Sequence, residues 1–93
     1  MKIKFTLEFS EKLLKQIEYI ASDKPIAAKK FQHSLNSEIQ NIKSFPFKCR
    51  ASIFHKNPLV RDLTFKGYTI TYKVDIDKDE ILVFSFLINQ KGF

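Results

Sequence analysis

The sequence predicts an α+β fold in which a helical hairpin packs on a mainly antiparallel sheet, with elements in the order β-α-α-β-β-β. Apolar residues alternate with polar ones at the start of the chain and again from residue 60 onwards. Between residues 13 and 42 they recur every three or four positions instead. Alternation is typical of strands and the longer period is typical of helices, so strands lie on both sides of two helices along the chain.

Residues 3–9 alternate strictly between apolar and polar side chains and predict the first strand. Ser10 precedes Glu11, so we expect the first helix to begin there, with the serine oxygen accepting a free backbone N–H. Its apolar stripe continues to about Ser22. Pro25 suits the first turn of a second helix. The apolar stripe of that helix consists of Ala28, Phe31, Leu35, Ile39 and Ile42.

The segment 45–58 is the least patterned part of the chain and predicts a loop. Alternation returns in residues 60–65 and in residues 68–74, which are separated by Lys66-Gly67, and this arrangement predicts a β-hairpin. Residues 81–88 are apolar on both faces, as expected of a strand inside a sheet. We therefore expect Phe84 to be buried.

Length and composition limit the class of protein. Ninety-three residues are expected to form a single domain, 1–93, because two cores could not be filled. The chain is 44% hydrophobic with 2 Gly and 3 Pro, which excludes a disordered protein, and the single cysteine excludes a disulfide scaffold. No apolar run approaches the ~20 residues of a membrane span, and no signal peptide is visible. We expect a cytoplasmic protein without a membrane partner.

The chain has a large positive net charge, and the basic residues are distributed unevenly along it. Sixteen Lys and Arg against ten Asp and Glu give +6. Residues 1–50 hold ten of the basic and five of the acidic side chains. A basic surface favours an anionic partner, which could be nucleic acid, a membrane surface or an acidic protein. Charge alone does not choose among these three.

The few candidate metal ligands lack the spacing that a metal site needs. Asp75, Asp77 and Asp79 alternate like the ligands of a calcium loop, but Glu80 stands where that loop needs glycine and Phe86 where it needs a carboxylate. We interpret this segment as a solvated turn. The two histidines and the cysteine are scattered along the chain. We expect neither a metal nor another cofactor.

Three further side chains are candidates for chemistry or binding. Cys49 lies between Lys48 and Arg50, and nearby positive charge activates a thiol, but no motif supplies a partner base, so an ordinary reduced cysteine is favoured. Arg50 and Arg61 are the only arginines, and the guanidinium fork suits a carboxylate or a phosphate. They are equally compatible with surface charges or with a pair to Asp62.

Several short features follow one another in a characteristic order. They are Tyr19-Ile20-Ala21, Ala27-Ala28, Pro46 followed by Cys49-Arg50, Val60-Arg61-Asp62-Leu63, and Gly67-Tyr68-x-Ile70-x-Tyr72-x-Val74-Asp75. Their order and spacing resemble the RelE/ParE superfamily of type II toxin-antitoxin toxins. The resemblance implies the fold predicted above and a cytoplasmic toxin. It also implies a cognate antitoxin, usually acidic or partly disordered, that lays a helix or strand across the toxin and often binds its own operator.

The superfamily divides by target: RelE-like members are ribosome-dependent mRNA endoribonucleases, whereas ParE-like members poison DNA gyrase. The resemblance implies that a ribonuclease would carry cations where this chain has Val60, Asp62 and Thr69, and none of these can replace a cation. Thr69 is unusual for both branches. If the chain were a ribonuclease, its candidate catalytic residues would be Arg50, Arg61 and Lys91.

The segment Tyr-Ile-Ala in the first helix and the Pro46-x-x-Cys49-Arg50 segment are more similar to the ParE-like branch. We therefore expect a gyrase-inhibiting toxin that arrests growth without a reaction of its own and that reaches operator DNA only through its antitoxin. The predicted target-binding residues are Arg50, Arg61, Asn89, Gln90, Lys91 and Phe93. Two alternatives stay open, a RelE-like ribonuclease and an antitoxin-binding module without toxicity.

Overall fold

The computed structural model describes residues 1–89 and has two helices packed on a five-stranded mixed sheet. The strands are β1 (Lys2–Phe5), β2 (Arg50–Ala51), β3 (Val60–Phe65), β4 (Tyr68–Asp75) and β5 (Glu80–Ile88), and the helices are α1 (Leu7–Asp23) and α2 (Pro25–Ser44). The predicted α+β fold is therefore confirmed. The predicted element order lacked only β2, a two-residue strand within the segment expected to be a loop.

The strands lie in the order β1-β5-β4-β3-β2 across the sheet. β1 pairs in parallel with β5. The helical hairpin carries the chain from β1 at one edge of the sheet to β2 at the other edge. All other neighbours are antiparallel, as predicted. Both helices cover one face of the sheet, and the opposite face is called the open face below.

The first helix begins earlier than the alternation predicted, so the prediction of a strand over residues 3–9 is wrong at its end. Thr6 is the N-cap of α1, and its hydroxyl oxygen accepts the backbone N–H of Phe9 at 3.1 Å. Ser10 lies inside the first turn, where its N–H donates to the Thr6 carbonyl oxygen. Phe9 is buried while Leu7 is exposed, although alternation would have placed both on one strand face.

The second helix agrees with its predicted pattern. Pro25 occupies its first turn, and the chain leaves the helix at Phe45. All five residues of the predicted stripe are buried, and they meet the strand side chains in one apolar core. α1 packs less completely against the sheet, since Phe9 is its only fully buried residue.

The β3–β4 hairpin also forms as predicted. Phe65 pairs with Tyr68 across a two-residue turn of Lys66 and Gly67, whose φ angles are 46° and 85°. Left-handed backbone at both turn positions matches the twist of the two strands. Glycine adopts this conformation without strain, which explains its position in the turn.

β5 lies between β1 and β4, so it is an interior strand as predicted, but only one of its faces packs against the helices. Ile81, Val83 and Phe86 are buried there. A β-bulge in the pairing of β4 with β5 explains the three-residue step from 83 to 86. Phe84 therefore lies outside the helix-facing core, half-buried, with its ring 5.6 Å from that of His55. Its predicted full burial was wrong.

Candidate functional site

The open face of the sheet brings together Arg50, Val60, Asp62 and Thr69, four of the residues that the sequence singled out. Directly paired residues on neighbouring strands share a face, so the register assigns them. The residues of β2, β3 and β4 on this face are Arg50, Val60, Asp62, Thr64, Thr69, Thr71 and Lys73.

Asp62 lies on this face between Arg50 of β2 and Thr71 of β4, and its side chain is fully buried. The hydroxyl of Thr71 donates to its Oδ1 at 2.9 Å. Within residues 1–89, Oδ2 accepts no hydrogen bond, and Nη2 of Arg50 lies 4.0 Å from it. The face thus holds a buried carboxylate that is only partly satisfied, which is energetically costly unless a donor approaches.

The three positions expected to carry cations in a ribonuclease all lie on the open face. Val60 and Thr69 are buried there together with Asp62. The Thr69 hydroxyl donates to Oδ1 of Asn89 at 2.7 Å. An apolar side chain, a carboxylate and an engaged hydroxyl therefore occupy the three positions at which the resemblance implies cations in a ribonuclease.

The two arginines have different environments. Arg50 is directly opposite Asp62 and its side chain is 57% exposed. Arg61 donates from Nε to the Pro58 carbonyl at 2.8 Å and from Nη1 to the Cys49 carbonyl at 3.1 Å. Its guanidinium also lies 5.0 Å from the centre of the Phe47 ring. Arg61 thus fastens the loop before β3 to the sheet, whereas Arg50 is available to a partner and is the arginine that lies near Asp62.

A tyrosine that the sequence placed only in a strand pattern contacts the same loop. The hydroxyl of Tyr72 donates to the Pro46 carbonyl at 2.6 Å. Burial raises the pKa of this phenol well above its ordinary value, and the neighbouring Cys49 raises it further. Tyr72 therefore holds its proton at neutral pH and cannot act there as a base. Cys49 is half-buried and reduced.

The predicted C-terminal contact residues begin at the end of β5. Asn89 is held by two hydrogen bonds, because it accepts from Thr69 and its own N–H donates to the Gly67 carbonyl at 2.8 Å. Gln90, Lys91 and Phe93 lie outside the described residues. The structure thus connects only the first predicted residue of this tail to the open face.

The aspartate-rich turn between β4 and β5 is stabilised from within, since Oδ1 of Asp75 accepts the backbone N–H of Lys78 at 3.1 Å. In the described part of the chain, no group of three His, Cys, Asp or Glu side chains is arranged to hold a metal ion.

None of the helices described in residues 1–89 has the length and hydrophobicity of a membrane span.

A second surface, which we call the helix groove, runs along α1, α2 and the end of β1 and has a volume of about 690 Å³. Its apolar lining comprises Phe5, Phe9, Leu13, Leu14, Ile17, Leu35 and Ile39. Its polar lining includes Lys29, Gln32, His33 and Asn36. We did not predict this groove from the sequence, although the adjacent Leu13 and Leu14 make the apolar stripe of α1 wider than packing on one side requires.

Solved structures from toxin-antitoxin systems share this fold. A chain of the chromosomal ParDE toxin-antitoxin system from P. aeruginosa superposes with a TM-score of 0.77 at 16% identity, covering 97% of each chain. The isolated E. coli RelE toxin superposes with a TM-score of 0.67 at 16% identity, covering 98% of this chain and 86% of that one.

A mutant of E. coli RelE in complex with a peptide of antitoxin RelBc superposes with a TM-score of 0.62 at 16% identity, covering 98% of this chain and 84% of that one. At these identities the likeness establishes the fold alone, which is the RelE/ParE fold. Comparison with curated proteins yields no significant match.

The sequence itself identifies the branch. Residues 3–91 match the family described as the ParE toxin of the type II toxin-antitoxin system parDE. The chain therefore belongs to the ParE toxin family, and the predicted resemblance to the RelE/ParE superfamily, closer to ParE, is confirmed. Membership implies an antitoxin partner.

Proposed function

We propose that this toxin inhibits DNA gyrase by binding to it, without a chemical step of its own, and that it arrests growth until a cognate antitoxin neutralises it. The observation that carries the proposal is the buried Asp62 carboxylate on the open face. A negative group at that place opposes RNA cleavage on this face.

Cleavage of RNA develops negative charge at the scissile phosphate, and catalysis needs cations or hydrogen-bond donors aimed at it. Loss of one such donor costs ~2.7–4 kcal/mol in transition-state stabilisation. Here Val60 and Thr69 contribute no charge, and Asp62 would repel the phosphate. A binding mechanism needs none of these groups to react.

The target contact is assigned to Arg50 and to the tail that begins at Asn89. Arg50 is the arginine with an exposed guanidinium, and such a group pairs bidentately with a gyrase carboxylate or a DNA phosphate. Gln90, Lys91 and Phe93 follow β5 and extend this contact. The proposed role of Arg61 is indirect, because two of its donors already bind backbone carbonyls of the neighbouring loop.

The helix groove is the proposed docking surface for the antitoxin. Its apolar lining suits the apolar face of an amphipathic helix, which would bury Leu14 and Phe5. The net charge of +6 favours an acidic partner, and a partly disordered segment would fold as it binds. Operator DNA is then contacted through the antitoxin.

The test compares two reactions side by side. Purified toxin is incubated with gyrase and relaxed plasmid, and separately with ribosomes programmed with a message. We expect supercoiling to be inhibited, or cleavage complexes to be trapped, while the message stays intact. Message cleavage in the ribosomal A site with unaffected supercoiling would instead establish a ribonuclease. Antitoxin binding with neither effect would establish a module without toxicity.

A further inference from the structure

We propose that Asp62 is a positioning residue, whose buried carboxylate holds the guanidinium of Arg50 on the open face and directs its other N–H groups towards an oxyanion of the target. This inference rests on the proposed function, because it names the group that orients a proposed target contact. Asp62 itself does not touch the target.

The strand register supplies the first argument. Arg50 and Asp62 are directly paired residues of β2 and β3, so their side chains leave the same face side by side. β2 has two residues and lies at the edge of the sheet, so few backbone hydrogen bonds hold it. A side-chain attachment at Asp62 is therefore needed to fix the direction of Arg50.

The unused hydrogen-bond acceptor of Asp62, its Oδ2 atom, supplies the second argument. Thr71 occupies Oδ1, whereas Oδ2 is buried and accepts no hydrogen bond from any residue in the described range. The Arg50 Nη2 atom is already 4.0 Å from Oδ2. A small rotation of the guanidinium would shorten this distance to the ~2.7–2.9 Å of a charge-assisted hydrogen bond and satisfy the carboxylate.

The shape of the guanidinium supplies the third argument. It has five N–H donors in one plane, so engaging Nη2 leaves the others free to bind a carboxylate or a phosphate. The side chain is 57% exposed, so these donors reach solvent. Restraining a long side chain before association lowers the entropic cost of binding. Arg61, whose Nε and Nη1 donate to backbone carbonyls, does not offer this arrangement.

A double-mutant cycle on gyrase inhibition tests the proposal. Asp62→Asn keeps the shape and the acceptor for Thr71 but removes the negative charge, and Arg50→Ala removes the guanidinium. We expect each single variant to raise the concentration for half-inhibition by about threefold to tenfold. The double variant should be no weaker than Arg50→Ala, because Asp62 acts through Arg50. Asp77→Asn, which makes the same charge change in an exposed turn, should leave inhibition unchanged.

Two results would overturn the proposal. One is an Asp62→Asn variant that inhibits as well as wild type. The other is a loss of inhibition on Asp62→Asn that is equally large in the wild-type and the Arg50→Ala background, because it would indicate a structural role for Asp62. Thermal unfolding of Asp62→Asn at an unchanged or higher temperature would support the positioning role, because it excludes a folding defect as the cause of weaker inhibition.

Nuclear magnetic resonance of the Arg50 guanidinium separates this inference from the proposed function. Restricted rotation about the guanidinium bonds is expected in wild type and free rotation in Asp62→Asn. Free rotation in wild type would overturn the inference whatever the target. Restricted rotation in a toxin that leaves supercoiling intact would support the positioning role and reject the gyrase target.

Measuring the affinity of the toxin for gyrase with and without DNA identifies the oxyanion. If Arg50→Ala weakens binding to gyrase alone, the oxyanion is a protein carboxylate. If Arg50→Ala weakens binding only when DNA is present, the oxyanion is a phosphate.

Discussion

At the scale of single residues, Tyr72 shows how a core side chain fixes the loop between α2 and β2. Its ring is fully buried under the helices, and its hydroxyl reaches out of the core to the Pro46 carbonyl. Arg61, which pairs with Tyr72 across β3 and β4, donates to two further carbonyls, one of them in the same loop. Together they hold the segment that leads into β2, where Arg50, the proposed target contact, lies.

Tyr72→Phe should lower the free energy of unfolding by about 1–2 kcal/mol, because the hydrogen bond is lost and the carbonyl is left without its donor. Denaturant titration measures this change. Tyr19→Phe is the matched control, since its side chain is 73% exposed, and it should leave stability unchanged. Equal effects of the two substitutions would contradict the proposed anchoring role.

The same tyrosine predicts a dependence on pH. Burial raises the pKa of the folded phenol above the ordinary value of 10.0, so the folded state keeps a proton that the unfolded state releases. Its contribution to stability is therefore complete below about pH 10 and declines as the pH rises further. The free energy of unfolding, measured between neutral pH and about pH 11, should therefore fall less steeply with pH in Tyr72→Phe than in wild type.

At the scale of secondary-structure elements, the start of α1 was harder to predict than the pairing of β3 with β4. Apolar alternation through Phe9 placed the cap at Ser10, whereas the structure has it at Thr6. The choice is decided by packing, because Phe9 reaches the core only if α1 begins at Leu7. The β3–β4 hairpin was predictable because Lys66-Gly67 and the flanking alternation specify the turn and the register together.

Thr6→Ala should destabilise the protein by about 1 kcal/mol, since it removes the oxygen that accepts the Phe9 N–H at the start of α1. Ser10→Ala, at the cap position that the alternation predicted, should have an effect close to zero. Denaturant unfolding of the two variants gives the comparison. A larger loss in Ser10→Ala would mean that the helix begins at the later position in solution.

At the scale of the whole molecule, the sequence predicted the fold class, the family and the basic charge, but only part of the candidate site. Val60, Asp62 and Thr69 came together on one face because alternation and register are local properties. The proximity of Arg50 to Asp62 was not predictable, because it depends on a two-residue strand returning to β3 after an unpatterned loop. The helix groove likewise depends on how far two helices stand apart, and periodicity does not specify that distance.

The groove and the net charge make separable predictions for antitoxin binding. Association with an acidic antitoxin should slow markedly from about 50 mM to about 500 mM salt, because screening weakens long-range steering. Leu14→Ser should chiefly accelerate dissociation, since Leu14 lines the groove and is 56% exposed in the free toxin, where its replacement leaves the core intact. Leu7→Ser is the matched control, because Leu7 is exposed on the same helix but does not line the groove. Surface plasmon resonance of the three toxins across the salt series resolves both rates. An association rate indifferent to salt would reject steering, and equal dissociation rates for Leu14→Ser and Leu7→Ser would place the antitoxin elsewhere.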